Sequence, residues 1–248
     1  MIPPTNHFFD NYVEPDSITR IWRCFTFDHF IDELDKESLF FSRASNVSDP
    51  SDSQIPEFDL KMENQVTNYL RNFYGKDYEL ATGEPEKDRE EFRRRLRENT
   101  VINCWRMDEI DSPEMWSEYK SKPIAVSSSI GRLKESLNDH RFPLTYRKVD
   151  YLDTVKEGMG RDWILNAQFF TKKKKFSWEK EFRVVVAENY KYSNQEPYQI
   201  GDRGLYVDVN FDKLISAIHI EPHSKISTKE IEEILLNHDI TKNVVKTV

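Results

Sequence analysis

Trp178-Glu179-Lys180-Glu181-Phe182-Arg183 leads into an apolar run that ends at Ala187. Aromatic and β-branched residues dominate positions 182–187, which predicts a buried strand. Alternate residues of a strand point to the same face, so Glu179 and Glu181 are expected to stand side by side, with Lys180 on the other face. Two adjacent carboxylates repel each other and perturb each other's pKa. The pair therefore indicates a functional site more than a stabilising feature.

Four consecutive lysines, residues 172–175, lie just upstream of these carboxylates. The cationic run is suited to holding an anionic ligand or target close to Glu179 and Glu181. The alternative is a charged, exposed strand entry in which the glutamates pair with the lysines. Sequence alone leaves both interpretations open.

Composition excludes several classes of protein. Only 7 glycines are present in 248 residues, and neither a GxGxxG nor a GxxxxGK pattern occurs, which argues against Rossmann and P-loop nucleotide enzymes. A net charge of −8 disfavours sequence-blind nucleic-acid binding over a broad surface, although a local basic patch stays possible. The six histidines have no spacing suited to zinc, so no metal site is predicted from them.

The chain reads as a soluble cytoplasmic protein. Its sequence has no apolar run near the roughly 20 residues of a membrane span and no signal-peptide pattern at the N-terminus. Cys24 and Cys104 lie in apolar, strand-like surroundings, which favours free buried thiols over a disulfide or a zinc site.

The predicted fold is a single α+β domain over residues 1–248, built on a split, twisted mixed β-sheet of about eight strands. After an irregular leader at 1–17, strand patterns alternate with short helices, and the predicted strands include 100–106 and 143–151. Residues 59–99 change character and predict a helical insertion. Ser112 is the expected N-cap of a helix that contains Trp116.

Polar side chains occur where a strand core is expected. Arg23 lies between aromatic and thiol neighbours and either extends out of the sheet or binds an anion through its guanidinium. Arg20 is a rival for the same role. Ser127 and Ser128 end an apolar strand, where hydroxyls either cap the next helix or contact a ligand.

The order of an arginine on a first strand, a serine on a middle strand and Glu-x-Glu on a late strand resembles the R-S-E class of ADP-ribosyltransferases. The resemblance implies NAD as the substrate, with Arg23 on its phosphates and Ser127 or Ser128 lining the pocket. It also implies that Glu181 stabilises the ribosyl cation and that Glu179 positions the acceptor. Trp22, Trp116 and Tyr119 are the aromatic candidates for contact with the NAD rings.

A second resemblance extends along most of the chain. Trp22-Arg23, Leu39-Phe40-Phe41-Ser42, Asp49-Pro50-Ser51-Asp52, Met115-Trp116-Ser117-Glu118-Tyr119 and the Trp178–Arg183 motif are similar to a bacterial family of unknown function, number 2971. Its members commonly have Met-Trp-Ser-His-Tyr, and here Glu118 replaces the histidine. That family occurs in bacterial defence and toxin-like contexts.

The sequence thus predicts an NAD-dependent ADP-ribosyltransferase that acts as a bacterial toxin or phage-defence effector on a nucleic-acid or protein acceptor. A neutralising antitoxin or chaperone is the expected partner. One alternative is a metal-dependent nuclease in which Asp49, Asp52, Glu179 and Glu181 collect Mg²⁺. The other is a non-catalytic adaptor that binds a partner through the 59–99 insertion.

Overall fold

A computed structural model of the chain describes residues 14–47, 49, 52–75, 86–107, 113–137, 142–159, 166–187 and 200–246. Most of the predicted leader lies outside the described residues, as do Pro50, Ser51 and the predicted N-cap Ser112. None of the helices in the described ranges has the length and apolar character that a membrane span requires.

Strands and helices alternate through these ranges. In chain order they are β1 (Arg20–Phe25), α1 (Phe27–Asp35), β2 (Ser38–Arg43), α2 (Glu57–Tyr74), α3 (Glu86–Glu98), β3 (Thr100–Arg106), α4 (Pro113–Glu118), β4 (Ile124–Ser129), α5 (Ile130–Ser136), β5 (Leu144–Lys148), β6 (Asp150–Leu152), β7 (Thr171–Lys173), β8 (Glu181–Ala187), β9 (Gly204–Asp208), α6 (Phe211–Leu214), β10 (Ala217–Ile220), α7 (Thr228–Asn237) and β11 (Asn243–Lys246). Short 3-10 helices span Ala44–Asn46, Ala167–Phe170 and Lys174–Glu179.

The main sheet contains nine strands, and seven of them run in the order β11-β10-β4-β1-β3-β2-β9. The other two, β8 and β5, continue from β3, while β6 and β7 form a separate parallel pair. Within the main sheet, only β10 and β11 pair in parallel among the described strands. This arrangement confirms the predicted α+β class and mixed sheet. The helices α2 and α3 lie between β2 and β3, where the sequence predicts the helical insertion.

The sheet divides along one edge of β3. The other edge of β3 pairs with β8 over its full length. Along the dividing edge, β3 pairs with β1 at a single residue pair and with β2 at two residue pairs. Between these contacts, Arg23 and Asn103 donate side-chain hydrogen bonds to the Phe40 carbonyl, at 3.4 and 2.9 Å. Side chains thus fill the gap where the backbone ladder is interrupted.

The two faces of the sheet are covered differently. One face, called the core face here, carries the largest apolar cluster, which includes Ile21, Phe25, Val101, Trp105 and Phe182. The opposite face, called the site face, carries smaller clusters. One of these lies around Ile102 and Val185, and another around Trp22 and Cys24. Because side chains alternate along a strand, the β1 residues Arg20, Trp22 and Cys24 share the site face.

Candidate active site

Four side chains form a row across the site face, one from each of four neighbouring strands. The strand register pairs Ser127 with Trp22, Trp22 with Arg106, and Arg106 with Glu181. Directly opposed residues on neighbouring strands share a face, with Cβ atoms about 4.5–5.5 Å apart. The row crosses the sheet at the residue pair where β1 and β3 meet, so it spans the division of the sheet.

Glu181 ends the row within a cluster of buried charges. Its Oε1 accepts a hydrogen bond from Lys172 Nζ at 2.9 Å, and its Oε2 accepts one from Arg183 Nε at 2.6 Å. The Glu181 backbone N–H donates to the Tyr151 hydroxyl at 2.8 Å. The Glu181 side chain is only 12% exposed. Both carboxylate oxygens are therefore fixed in position by cations and shielded from bulk water.

Glu179 joins Glu181 through Lys172, because the same ammonium group contacts both carboxylates. Burial raises the pKa of Glu179 to about 7, and its hydrogen bond with Glu181 adds to the rise. Burial also acts to raise the pKa of Glu181, but Arg183 and Lys172 outweigh it and hold that pKa at about 2. When the environment gives two neighbouring carboxylates different pKa values, one can act as an acid or base near neutral pH while the other stays ionised.

The backbone brings these carboxylates together by a route that differs from the predicted one. Glu179 is the last residue of the 3-10 helix Lys174–Glu179, and the strand begins at Glu181. Lys180 between them has a left-handed conformation with φ 43°. A lysine is strained there, and such strain is often found at functional sites. The two glutamates therefore lie side by side because the backbone turns at Lys180 and because both carboxylates contact Lys172. Alternation of side chains along a strand is not the cause.

Lys172 differs from the exposed cationic run that the sequence suggests. It lies on β7 and is 9% exposed, whereas Lys174 and Lys175 are exposed. Its ammonium also approaches Asp52 Oδ2 at 3.4 Å. The carboxylates overcome the effect of burial and raise the pKa of Lys172, so it stays charged. The predicted pairing of the glutamates with the lysines thus occurs, but in the interior and through Lys172.

Asp52 completes the charge cluster from the loop after β2. Its two carboxylate oxygens accept hydrogen bonds from the Arg183 guanidinium at 2.8 and 2.7 Å. With every group ionised, three carboxylates face two cations, which leaves the cluster one negative charge in excess. Within the described ranges, no three His, Cys, Asp or Glu side chains are placed to hold a metal ion. Three of the four carboxylates that the nuclease alternative requires, Asp52, Glu179 and Glu181, are bonded to Lys172 or Arg183.

Arg106 lies between two aromatic rings at the centre of the row. Its guanidinium carbon is 5.0 Å from the Trp22 ring centroid and 5.3 Å from that of Trp178. It donates to the Trp178 carbonyl at 3.1 Å and contacts the Glu118 carboxylate at 3.4 Å. Tyr119 packs edge-on against Trp22, with the ring centroids 5.7 Å apart. An aromatic platform therefore holds a cation beside Glu181.

Arg23 lies on the core face and does not join this site. It donates to both carboxylate oxygens of Glu33, each at 3.0 Å, and Glu33 is buried. Arg23 has the same strand parity as Ile21 and Phe25, whose side chains are in the main core. The sheet therefore separates Arg23 from Glu181, and the contact of Arg23 with NAD phosphates stays a prediction. Arg20 has the site-face parity and is exposed.

The predicted serines divide between the two faces. Ser127 shares the row with Trp22, and its hydroxyl donates to the Ala217 carbonyl at 3.1 Å. Ser128 faces the core, is 3% exposed and donates to the Leu214 carbonyl at 2.5 Å. Helix capping falls to Ser129, which accepts from the Arg132 N–H. Ser128 is therefore excluded from a pocket on the site face.

Trp22 and Tyr119 both lie on the site face, but they differ in accessibility. Trp22 is 2% exposed, since Arg106 and Tyr119 pack against it. Its ring supports Arg106 and is covered in this structure, and its contact with NAD stays a prediction. Tyr119 is half-buried, whereas Trp178 is 44% exposed next to Glu179.

Arg106 and the individual role of Lys172 are not among the residues predicted from the sequence. A usable signal for Arg106 exists in Thr100–Arg106, where a basic residue ends a mainly apolar strand. Lys172 has a weaker signal, namely the two phenylalanines at 169 and 170 that precede it and lie in the core.

No protein-family model matches the chain, and no curated protein is significantly similar to it. Among the solved structures that match, two align over nearly the whole chain, each at 11% sequence identity. Thermus sp. 2.9 DarT in complex with NAD+ aligns with a TM-score of 0.41, covering 94% of this chain and 97% of that one. Thermus sp. 2.9 DarT in complex with ADP-ribosylated ssDNA aligns with a TM-score of 0.40, covering 95% and 97%. Because both TM-scores are below 0.5, the assignment of function rests on the residues of this chain.

Proposed function

We propose that this protein is an NAD-dependent ADP-ribosyltransferase. The observation that carries the proposal is the row from Ser127 to Glu181. It places an ionised, fixed carboxylate beside an arginine on an aromatic platform, next to a second carboxylate that titrates near neutrality. Each of these groups has a use in the transfer of ADP-ribose from NAD: one stabilises the sugar cation, one binds phosphate and one accepts a proton.

Glu181 stabilises the ribosyl cation in this proposal. When the bond between ribose C1′ and the nicotinamide nitrogen breaks, the bonding electrons leave with neutral nicotinamide and positive charge develops on the sugar. A carboxylate held in place before the reaction stabilises that charge without reorganising. Lys172 and Arg183 supply this preorganisation, because they occupy both oxygens of Glu181 and keep it deprotonated.

Glu179 is the proposed general base. The acceptor nucleophile attacks C1′ and gives its proton to the Glu179 carboxylate. A base is most effective when its pKa lies near the working pH, and the pKa of Glu179 is about 7. The rate is therefore expected to rise with pH through about 7, as Glu179 loses its proton.

Arg106 is the proposed contact for the NAD pyrophosphate, the role that sequence assigns to Arg23. A guanidinium binds phosphate through paired hydrogen bonds and keeps its charge at every relevant pH. Its contact with Glu118 is long, 3.4 Å, and the Glu118 side chain is 36% exposed. A phosphate group can therefore displace this carboxylate from Arg106 at little cost.

We extend the proposal to a toxin or phage-defence effector in the cytoplasm, with a nucleic-acid or protein acceptor and a neutralising partner. This extension follows the resemblance to the defence-associated family. The supporting feature on the surface is the basic and aromatic segment 173–178 beside Glu179, with exposed lysines and an exposed Trp178.

Nicotinamide release tests the proposed reaction. Purified protein is incubated with NAD and a bacterial lysate, and free nicotinamide is measured at pH 6 to pH 9. Release that requires the protein and increases through about pH 7 is the expected result. If no nicotinamide is released at any pH, the transferase proposal fails, and the nuclease and adaptor hypotheses take its place.

A further inference from the structure

The peptide unit between Lys180 and Glu181 is held from both sides. Its carbonyl, on Lys180, accepts a hydrogen bond from the Met107 N–H at 2.9 Å. Its N–H, on Glu181, donates to the Tyr151 hydroxyl at 2.8 Å. A peptide unit is planar, so contacts at its two ends fix its orientation as one rigid body. The two contacts therefore fix the backbone at the point where it turns from Glu179 into β8.

The Tyr151 hydroxyl takes the place of a missing strand partner. The Glu181 carbonyl accepts from the Val149 N–H at 2.9 Å, so the Glu181 N–H points towards the same edge of β8. A backbone carbonyl would accept this N–H if the ladder continued, but β5 ends at Lys148. A side chain therefore satisfies the N–H where the neighbouring strand no longer does.

Tyr151 reaches this N–H from the β6–β7 pair, together with Lys172. The two residues are direct neighbours in the register of that pair. Lys172 contacts both carboxylates, and Tyr151 holds the backbone between them. Burial raises the pKa of Tyr151 well above its usual value, so its hydroxyl stays neutral. The small sheet thus holds the glutamate pair both by side chain and by main chain.

The conformation of Lys180 explains why the turn needs this anchor. A left-handed lysine costs free energy and persists only where its surroundings enforce it. Without the Tyr151 hydroxyl, the Glu181 N–H loses its partner and the turn is held from one side only. The turn can then relax, and Glu179 moves relative to Glu181.

We propose that Tyr151 is a positioning residue, which holds Glu179 beside Glu181 in the geometry that the transfer requires. This inference rests on the proposed function. Among the described residues, the titratable groups that face Glu179 are Glu181 on β8, Lys172 on β7 and Tyr151 on β6. Near neutral pH none of these three changes its charge, because Glu181 and Lys172 stay ionised and Tyr151 stays neutral. The pH dependence of the rate in this range therefore reports on the surroundings of Glu179.

Nicotinamide release from pH 5 to pH 9 compares the wild type with Tyr151→Phe, and Tyr146→Phe is the matched control. Each variant loses one hydroxyl from a half-buried ring, but Tyr146 packs against the core face. Tyr151→Phe should lower kcat ~10-fold to 100-fold by displacing the base, while the KM for NAD stays near the wild-type value. The pH of half-maximal rate should fall by about one unit or more, because Glu179 gains exposure to solvent. Tyr146→Phe should leave kcat and this pH unchanged.

The opposite results separate the two proposals. If Tyr151→Phe keeps the wild-type profile, or loses rate equally at every pH, Tyr151 has no positioning role and the inference fails while the transferase proposal stands. If the wild type releases no nicotinamide, the transferase proposal fails and the role of Tyr151 in it fails as well.

Hydrogen exchange of the wild-type protein, measured by NMR, tests the anchor even if Tyr151→Phe does not fold. The Glu181 amide should exchange at least ~10-fold more slowly than an unpaired amide, because the Tyr151 hydroxyl accepts its hydrogen bond. An unprotected Glu181 amide overturns the inference.

Discussion

The substitution Glu179→Gln tests how protonation of Glu179 changes the free energy of unfolding with pH. Burial and the neighbouring Glu181 raise the pKa of Glu179 from 4.5 to about 7. The folded protein therefore keeps this proton up to about pH 7, whereas the unfolded chain releases it near pH 4.5. Between these values the folded state binds more protons than the unfolded state, so stability decreases as the pH rises.

The size of this effect follows from the pKa difference. Each pKa unit corresponds to about 1.4 kcal/mol, so the shift of Glu179 from 4.5 to about 7 gives an upper limit of about 3.5 kcal/mol above pH 7. The Glu179 side chain is 15% exposed, and partial screening by solvent reduces the expected value to about 1–3 kcal/mol. Glu181 acts in the opposite direction. Its pKa is depressed, so its stabilisation is complete above pH 4.5 and is lost as the pH falls towards 2.

Urea unfolding at pH 5 and pH 8 measures the effect. A glutamine mimics the protonated acid at both pH values, so Glu179→Gln should gain about 1–3 kcal/mol relative to the wild type between pH 5 and pH 8. Glu232→Gln, on the exposed side of α7, is the control and should track the wild type. A difference between wild type and Glu179→Gln that stays the same at both pH values would refute the reasoning.

Two further substitutions separate the faces of the sheet. Arg23→Met leaves the buried Glu33 carboxylate without its cation and should lower the free energy of unfolding by about 3 kcal/mol, while the KM for NAD stays at the wild-type value. Urea titration and steady-state kinetics test this, and a large increase in KM would restore Arg23 as the NAD contact. Arg106→Met should raise the KM for NAD roughly 10-fold to 100-fold, which is the loss of affinity expected when one charge-assisted hydrogen bond is removed. An unchanged KM would remove Arg106 from the proposed site.

Local pattern predicts much of the sheet. The bounds of β3, Thr100–Arg106, agree with the prediction, and β8 begins one residue before its predicted start. Both strands are rich in β-branched and aromatic residues, and both faces of each are covered, so the apolar run is continuous. The segment predicted as one strand at 143–151 is instead two, β5 and β6.

The face that a residue occupies could not be predicted for β1. Ile21 and Phe25 share the parity of Arg23, and Trp22 and Cys24 form the other set. Both sets are largely apolar, so alternation does not identify which side meets the main core. Only the long-range pairing of β1 with β3 and β4 assigns Arg23 to the core face.

The candidate site was predicted in part. Its two carboxylates, Glu179 and Glu181, come together as expected, but through the left-handed Lys180 and the bond of both to Lys172. A local sequence pattern contains no information about such contacts between distant elements. Arg106 was missed for the same reason, because its position beside Glu181 depends on the register of β3 and β8.

Transfer of label from tagged NAD in a bacterial lysate tests the central claim most directly, with wild type beside Glu181→Gln and Glu33→Gln. The contacts of Glu181 with Lys172 and Arg183 predict that Glu181→Gln lowers the free energy of unfolding by about 3–5 kcal/mol. Glu33→Gln weakens a buried ion pair on the core face and controls for that loss. We predict label with wild type and Glu33→Gln and a loss of several orders of magnitude with Glu181→Gln. Equal labelling by all three proteins, or by none, would contradict the assignment of Glu181.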